Sequence, residues 1–213
     1  MFRRGRRLEI KAVLFDADNT LYDTRGLARL CDREAMKVLA PAKPEAALVE
    51  FYAIVDGLKR NFDPSKRTRL QSYSMLAKKF GSSDAEAKKA VEHFQKSFLS
   101  KLKPKVGTQK MLDILKKKGL KLAVVTAEER EWALKKLEAS GLSEYFEVVI
   151  TADDVGRMKP DARYFRLAME NLDVSPDECL VIGDDEEGDL KPARTLGMAA
   201  ERESSVLLGL LLP

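Results

Sequence analysis

The sequence predicts an α/β protein: a doubly wound, Rossmann-like parallel sheet with an inserted bundle of four helices. Three observations predict it. The first regular segment, Ile10 to Phe15, is rich in β-branched and aromatic residues, as are strands buried on both faces of a parallel sheet. From about residue 25 to 102 the apolar residues recur only at helical spacing. From Val106 onward, strand and helix patterns alternate, which favours a parallel sheet.

Length and composition limit the class of protein. The 213 residues, 45% of them hydrophobic, are enough for one large domain or two small ones. The formal net charge of +4 is too small to indicate nucleic-acid binding. Two cysteines are too few for a disulfide framework, and one histidine cannot form a His-rich metal site. We therefore expect no nucleic-acid partner, and either a monomer or a dimer.

No apolar stretch reaches the length of a membrane span, and no signal peptide precedes the first strand. The sequence therefore predicts a cytoplasmic protein without a membrane partner.

Helical patterns follow the first strand. The first helix, with apolar positions from Leu27, ends before Pro41, and the second runs from Glu45 to Leu58. The third covers about Thr68 to Phe80, and Gly81 closes it in the position after the helix end. Ser83 is expected to cap the fourth, which runs to about Leu102. A loop is predicted over Asn61 to Ser65, which contains Pro64.

The remainder alternates. The predicted segments are a helix at Thr108–Lys118, a strand at Leu120–Val125, a helix at Glu128–Ser140, a strand at Phe146–Ile150, a helix opened by Lys159-Pro160-Asp161 and ending at Asn171, a strand at Leu180–Ile182 and a helix at about Glu187–Leu196. Asp161 is the predicted N-cap of its helix. A further strand after Gly197 is left open, and the apolar stretch Val206–Leu212 is expected either to pack on the sheet or to promote self-association.

Polar side chains follow the predicted strands. Asp16 and Asp18 follow the first strand, Thr126 a second, and Asp184 another, while Lys159 lies at the predicted start of a helix. The carboxyl ends of parallel strands share one edge of the sheet, where open α/β sheets bind ligands. An acidic turn without function is the alternative, because aspartate is common in turns. Carboxylates suit Mg²⁺ and can also attack phosphorus, so the set indicates phosphoryl transfer.

These motifs resemble those of the haloacid dehalogenase superfamily. Its four motifs are found in order, beginning with Asp16-Ala17-Asp18-Asn19-Thr20. The resemblance implies that Asp16 is the nucleophile and Asp18 the general acid/base, that Thr126 holds the transferring phosphoryl group, and that Lys159 offsets its charge. The residue after Thr126 is Ala127, where many relatives carry asparagine, so one polar contact is expected to be missing.

The resemblance also implies a magnesium site and two domains. Mg²⁺ is expected on Asp16, on the backbone carbonyl of Asp18 and on Asp184, with Asp189 and Thr20 in support. Residues 1–22 and 105–213 would form the catalytic core, and residues 23–104 a helical cap that covers the site and selects a small phosphorylated metabolite.

Several reaction classes remain after the resemblance. Dehalogenase and phosphonatase relatives lack the second aspartate, so Asp18 disfavours both. A phosphatase is favoured over a phosphomutase resembling β-phosphoglucomutase, which must hold a second phosphate. The stretch Lys66-Arg67-Thr68-Arg69 is the only one we assign to such a role. A non-catalytic binding protein with the same fold is the further alternative, but an intact Asp16 disfavours it.

Overall fold

The computed structural model describes residues 9–60 and 68–203. The chain divides into two compact units. One holds the described residues up to Asp23 and from Lys103 onward, and the other is Thr24–Leu102.

The first unit is built on a parallel sheet of five strands, which confirms the predicted α/β class. The strands are β1 (Ala12–Phe15), β2 (Lys121–Val125), β3 (Val148–Ile150), β4 (Cys179–Gly183) and β5 (Ala199–Arg202), in the order β3-β2-β1-β4-β5. The fifth strand occupies the region that the sequence pattern left open.

The strand order places a ligand crevice beside β1. From β1 the chain adds β2 and β3 on one side, then returns to add β4 on the other side of β1. Such a change of direction opens a crevice at the carboxyl ends of the strands. Phe15 is in register with Val124 on β2 and with Ile182 on β4. The residues that follow these three strands are therefore brought to one edge of the sheet.

The central strand is buried on both faces, as its composition predicts. Leu14 belongs to an apolar cluster with Ala123 and Val181 from the neighbouring strands and with Phe165. The alternate residues of β1 point to the opposite face of the sheet, and Phe15 there is fully buried, with its ring against that of Phe146. Because β1 is packed on both faces, its position in the sheet is fixed. The position of the residues at its carboxyl end is fixed with it.

The helices of the first unit are α5 (Thr108–Lys117), α6 (Arg130–Ala139), α7 (Ala152–Val155), α8 (Arg163–Leu172) and α9 (Lys191–Thr195), with a π-helical turn at Glu186–Leu190. The helix predicted to open at Lys159 with Asp161 as its N-cap begins later: α8 starts at Arg163, and its N-cap is Ala162. The Asp161 carboxylate nevertheless accepts the backbone N–H of Arg163 at 2.9 Å, which is the contact expected of an N-cap side chain.

The predicted helix at Glu187–Leu196 also differs in its first turn. The backbone N–H groups of Asp189 and Leu190 both donate to the carbonyl of Asp185, at 3.0 and 3.2 Å. One carbonyl is thus shared by two successive donors, and the turn widens into a π-helix before α9 begins. Asp189 lies on this turn.

The second unit contains α1 (Thr24–Leu39), α2 (Pro44–Arg60), α3 (Arg69–Phe80) and α4 (Asp84–Lys101). Thr68 and Ser83 cap α3 and α4 in complete capping boxes, and Gly81 follows α3 in the left-handed conformation. Among the described residues, none of the helices is both long and apolar enough to cross a membrane. The predicted loop at Asn61–Ser65 and the apolar stretch Val206–Leu212 lie outside the described residues.

A buried carboxylate joins three helices of this unit. Asp32 of α1 is 1% exposed. Its carboxylate accepts hydrogen bonds from the hydroxyls of Tyr52 and Tyr73, both at 2.8 Å, and from the Arg69 guanidinium. The guanidinium carbon of Arg69 also lies 3.5 Å from the centroid of the Phe94 ring. Of the cationic side chains that the sequence offers for a second phosphate, that of Arg69 is therefore engaged inside the helical unit, whereas Lys66 and Arg67 lie outside the described residues.

We expect Asp32→Ala to destabilise the protein by about 3–5 kcal/mol, because it leaves the Arg69 guanidinium and two tyrosine hydroxyls without their buried acceptor. Urea denaturation followed by circular dichroism measures the loss. Glu92→Ala, at an exposed position of α4, is the control and should change the free energy of unfolding by less than about 0.5 kcal/mol. Equal midpoints for the two variants would contradict the importance of the cluster.

Candidate active site

The loop after β1 carries the first two acidic residues. The backbone N–H of Asp16 donates to the carbonyl of Ile182 at 2.9 Å and continues the pairing of β1 with β4. The Thr20 hydroxyl donates to Asp16 Oδ2 at 3.3 Å. Asn19 has a φ of 61°, a conformation that asparagine tolerates better than most residues. Lys105 Nζ donates to the Asn19 carbonyl at 2.7 Å, which holds the turn in place.

Lys159 links the first predicted motif to the last. Its Nζ lies 2.7 Å from Asp16 Oδ1 and 2.6 Å from Asp189 Oδ1. The Lys159 side chain is only 9% exposed, and those of Asp16 and Asp189 are 13% and 3% exposed. The expectation that Lys159 reaches the carboxyl end of β1 agrees with this geometry, but it is a buried bridging group and not a surface lysine.

The charges of these three groups are strongly coupled. Burial raises the pKa of Asp16 to about 6, against the opposing effect of Lys159. Burial also raises the pKa of Asp189, again opposed by Lys159. Burial alone would lower the pKa of Lys159, but the carboxylates of Asp16 and Asp189 outweigh it and hold that pKa above its ordinary value. Lys159 therefore stays protonated and is the charge that keeps two nearby carboxylates together.

Asp184 completes a group of three carboxylates. Oxygen atoms of Asp16, Asp184 and Asp189 all lie within 4.8 Å of one another. With Lys159 the group carries three acidic side chains and one basic one, so negative charge is in excess. A hard divalent cation that prefers oxygen ligands suits such a donor set. The Asp18 carboxylate is not in this group. This does not conflict with the prediction, which assigns the metal contact of Asp18 to its backbone carbonyl.

Asp189 reaches the group because Gly183 has no side chain. A Cβ added to Gly183 would lie 2.7 Å from Asp189 Oδ2 and 2.8 Å from Asp189 Cβ. Contacts this short do not occur, so a larger residue at the end of β4 would move Asp189. Gly183 thus allows the π-helical turn to place Asp189 directly over the strand end.

Thr126 follows β2, the strand next to β1. It is 2% exposed, and its backbone N–H donates to the Ile150 carbonyl at 2.9 Å. Its hydroxyl accepts the backbone N–H of Glu128 at 3.4 Å. With Phe15 in register with Val124, Thr126 is placed at the same edge of the sheet as Asp16.

Sequence reasoning missed a second charged group around Asp18. Lys136 of α6 is 1% exposed, and its Nζ donates to Glu128 Oε2 at 2.6 Å and to Asp18 Oδ1. The same Nζ lies 5.5 Å from the centroid of the buried Tyr22 ring. A signal was present in the sequence: Lys136 lies between Ala133 and Ser140 on the inward stripe of α6, where an apolar residue is expected.

Comparison with known proteins identifies relatives along most of the chain. Residues 10–197 match the model of the family described as haloacid dehalogenase-like hydrolase. A glyceraldehyde 3-phosphate phosphatase from Methanothermobacter thermautotrophicus is 30% identical over 200 residues, which are 90% of this chain and 84% of the relative.

Two solved structures are also similar. One is a HAD phosphatase from Thermococcus onnurineus, with a TM-score of 0.68 and 29% identity over 90% of this chain and 85% of that one. The other, from Thermotoga maritima, is described as a candidate beta-phosphoglucomutase and has a TM-score of 0.72 and 25% identity over 95% of this chain and 99% of that one.

We expect Gly183→Ala to lower the activity of the protein by at least about 10-fold, because a displacement of Asp189 of even 1 Å can cost roughly 100-fold. Hydrolysis of p-nitrophenyl phosphate by the folded variant measures the change.

Gly57→Ala is the matched control. An added Cβ at Gly57 of α2 meets nothing within 4 Å, so full activity and equal or higher stability are expected. Normal activity of Gly183→Ala would show that the position of Asp189 is not critical.

Proposed function

Because this chain belongs to the haloacid dehalogenase-like hydrolase family, we propose that it is a phosphatase that hydrolyses a small phosphorylated metabolite through an aspartyl-phosphate intermediate. The observation that carries the proposal is the buried bridge from Lys159 to Asp16 and Asp189, at the edge of the sheet where Asp184 and Thr126 also lie. A carboxylate held beside a lysine ammonium is positioned to attack an anionic phosphoryl group.

The proposed reaction has two steps. An Asp16 oxygen attacks phosphorus, the bond from phosphorus to the ester oxygen breaks, and Asp18 gives its proton to the departing alcohol. Water then attacks the phosphorus of phospho-Asp16, Asp18 takes the proton from that water, and inorganic phosphate leaves with Asp16 restored. Lys159 and the Thr126 hydroxyl hold phosphoryl oxygens and offset their charge in both steps.

We assign the three-carboxylate group to Mg²⁺. The donor atoms of Asp16, Asp184 and Asp189 are all hard oxygens, and their excess negative charge fits a divalent cation. Asp16 and Asp184 would be ligands, together with the Asp18 carbonyl, while Asp189 holds Lys159. When bound, Mg²⁺ supplies charge neutralisation for the phosphoryl group and its attacking carboxylate.

We assign the helical unit the role of a cap that limits water and selects the substrate. Two points support this assignment. The helical unit is inserted directly after the loop that carries Asp16 and Asp18, and the family resemblance implies a helical cap domain at residues 23–104. The relative from Methanothermobacter makes glyceraldehyde 3-phosphate the first metabolite to test.

A phosphomutase is the second candidate, because the similar Thermotoga structure carries that description. A mutase needs cations for a second phosphate, and of the stretch Lys66-Arg67-Thr68-Arg69 only Arg69 lies in the described part with a cationic side chain, where it is paired with Asp32. Release of inorganic phosphate in stoichiometric amounts supports the phosphatase. Isomerised sugar phosphate without net release would support the mutase.

Activity should require Mg²⁺, or Mn²⁺ in its place, because the donor set contains only oxygen atoms. Exhaustive EDTA treatment should abolish phosphate release from p-nitrophenyl phosphate, and added Mg²⁺ should restore it. Mg²⁺ should also raise the Tm, and Asp184→Asn should reduce this rise whereas Asp173→Asn, at an exposed position, should not. Full activity after EDTA treatment would refute the metal assignment.

The two aspartates after β1 should fail in different ways when replaced. Asp16→Asn cannot form an aspartyl phosphate, so no phosphorylated protein should be found by mass spectrometry after an acid quench. Asp18→Asn should slow both steps by roughly 10²–10⁴-fold for an alkyl phosphate. An aryl phosphate needs little protonation of its leaving group, so phospho-Asp16 should accumulate with that substrate.

The wild-type protein quenched in the same way is the control. Ordinary activity of Asp16→Asn, or the same added phosphoryl mass in that variant, would show that Asp16 is not the nucleophile. Direct attack by water would then be the mechanism to consider.

A further inference from the structure

Lys136 occupies a position where an apolar side chain would serve the fold. Its neighbours on the inward face of α6, Ala133 and Leu137, are 3% and 2% exposed, and Lys136 itself is 1% exposed. Burying an ammonium removes its hydration, and the attraction of its partners repays that cost only in part, so a buried ion pair is a weak source of net stability. The presence of lysine here calls for a reason other than packing.

The partners of Lys136 indicate that reason. One is Asp18 and the other is Glu128, 2.6 Å from Nζ. Glu128 is itself fixed, since its backbone N–H donates to the Thr126 hydroxyl and its carbonyl accepts the backbone N–H of Ala152 at 2.9 Å. Lys136 thus ties the loop after β1, through Asp18 itself, to the loop after β2, through Glu128, whose backbone is bound to the Thr126 hydroxyl.

The charges agree with a fixed arrangement. Burial alone would lower the pKa of Lys136, but the carboxylates of Glu128 and Asp18 outweigh it and keep that pKa above its ordinary value. The ring face of Tyr22, 5.5 Å from Nζ, covers a further side of the ammonium. Because Lys136 is charged and enclosed, the Asp18 carboxylate has a partner of fixed position.

We propose, on the basis of the phosphatase activity proposed above, that Lys136 is a positioning residue that holds the Asp18 carboxyl group, from which a proton passes to the leaving alcohol, with Glu128 as its anchor. Lys136 contacts the Asp18 side chain and, in this proposal, exchanges no proton with the substrate itself. It acts by restricting Asp18, which without it would rotate about its side-chain bonds and meet the leaving oxygen less often. The loss on removing Lys136 must therefore depend on how much the leaving group needs a proton.

The experiment compares kcat/KM for two probes in Lys136→Met, which keeps an unbranched side chain of similar length and removes its charge. Glycerol 2-phosphate has a poor alkoxide leaving group, and p-nitrophenyl phosphate a good one. The kcat/KM value reports steps up to release of the alcohol, so it excludes the later hydrolysis of phospho-Asp16. We expect a loss of at least about 10-fold for the alkyl phosphate, as part of the 10²–10⁴-fold that acid/base groups supply, and a clearly smaller loss for the aryl phosphate.

Lys135→Met is the matched control. Lys135 is the next residue of α6, is 44% exposed and pairs with Glu131 on the surface. Both kcat/KM values should equal those of the wild type. Glu128→Gln keeps the shape of the anchor and weakens its attraction for the Lys136 ammonium. It should lower the ratio of kcat/KM for glycerol 2-phosphate to kcat/KM for p-nitrophenyl phosphate, but by a smaller factor than Lys136→Met. It carries the test if Lys136→Met melts below the assay temperature.

The outcomes separate the two proposals. An equal loss for both probes, or no loss, in a folded Lys136→Met protein would overturn the positioning role and leave the phosphatase proposal intact. A wild-type protein that releases phosphate from neither probe nor any phosphorylated metabolite would overturn the proposed function, and the role of Lys136 with it.

Discussion

The ion bridge from Lys159 to Asp16 and Asp189 is the interaction on which the site depends. Two carboxylates this close would repel each other, and burial alone would favour their protonation. The single ammonium between them, 2.7 and 2.6 Å away, holds Asp16 in place and fixes the direction of its second oxygen. This one charge therefore joins residues that are distant in the chain.

Three features of the backbone bring Lys159, Asp16 and Asp189 together. Asp16 continues the pairing of β1 with β4, and Gly183 at the end of β4 leaves space for Asp189. The π-helical turn then directs Asp189 back over the strand. Strand register and the absence of a side chain at Gly183 thus position the ionisable groups of the candidate site.

Much of this was predictable from the sequence. Parallel β1, β2 and β4 follow from their apolar composition, and strand order brings Asp16, Thr126 and Asp184 to one edge. The π turn and the start of α8 were not predictable, because both depend on which carbonyl or carboxylate captures a particular backbone N–H. The Asp18–Lys136–Glu128 group was missed because its members are separated in the chain, and a lysine within a helix is usually exposed.

The two chain crossings between the units lie side by side in the first unit. Tyr22 forms an isolated antiparallel bridge with Pro104, and the backbone N–H of Lys105 donates to the Leu21 carbonyl at 2.9 Å. These contacts hold together the two chain segments that lead into and out of Thr24–Leu102. Its length then adds little to the entropy of closure. A unit joined in this way can be lengthened, shortened or replaced in evolution without displacing Asp16 and Asp18, and under the proposed function such changes would alter which substrates are accepted.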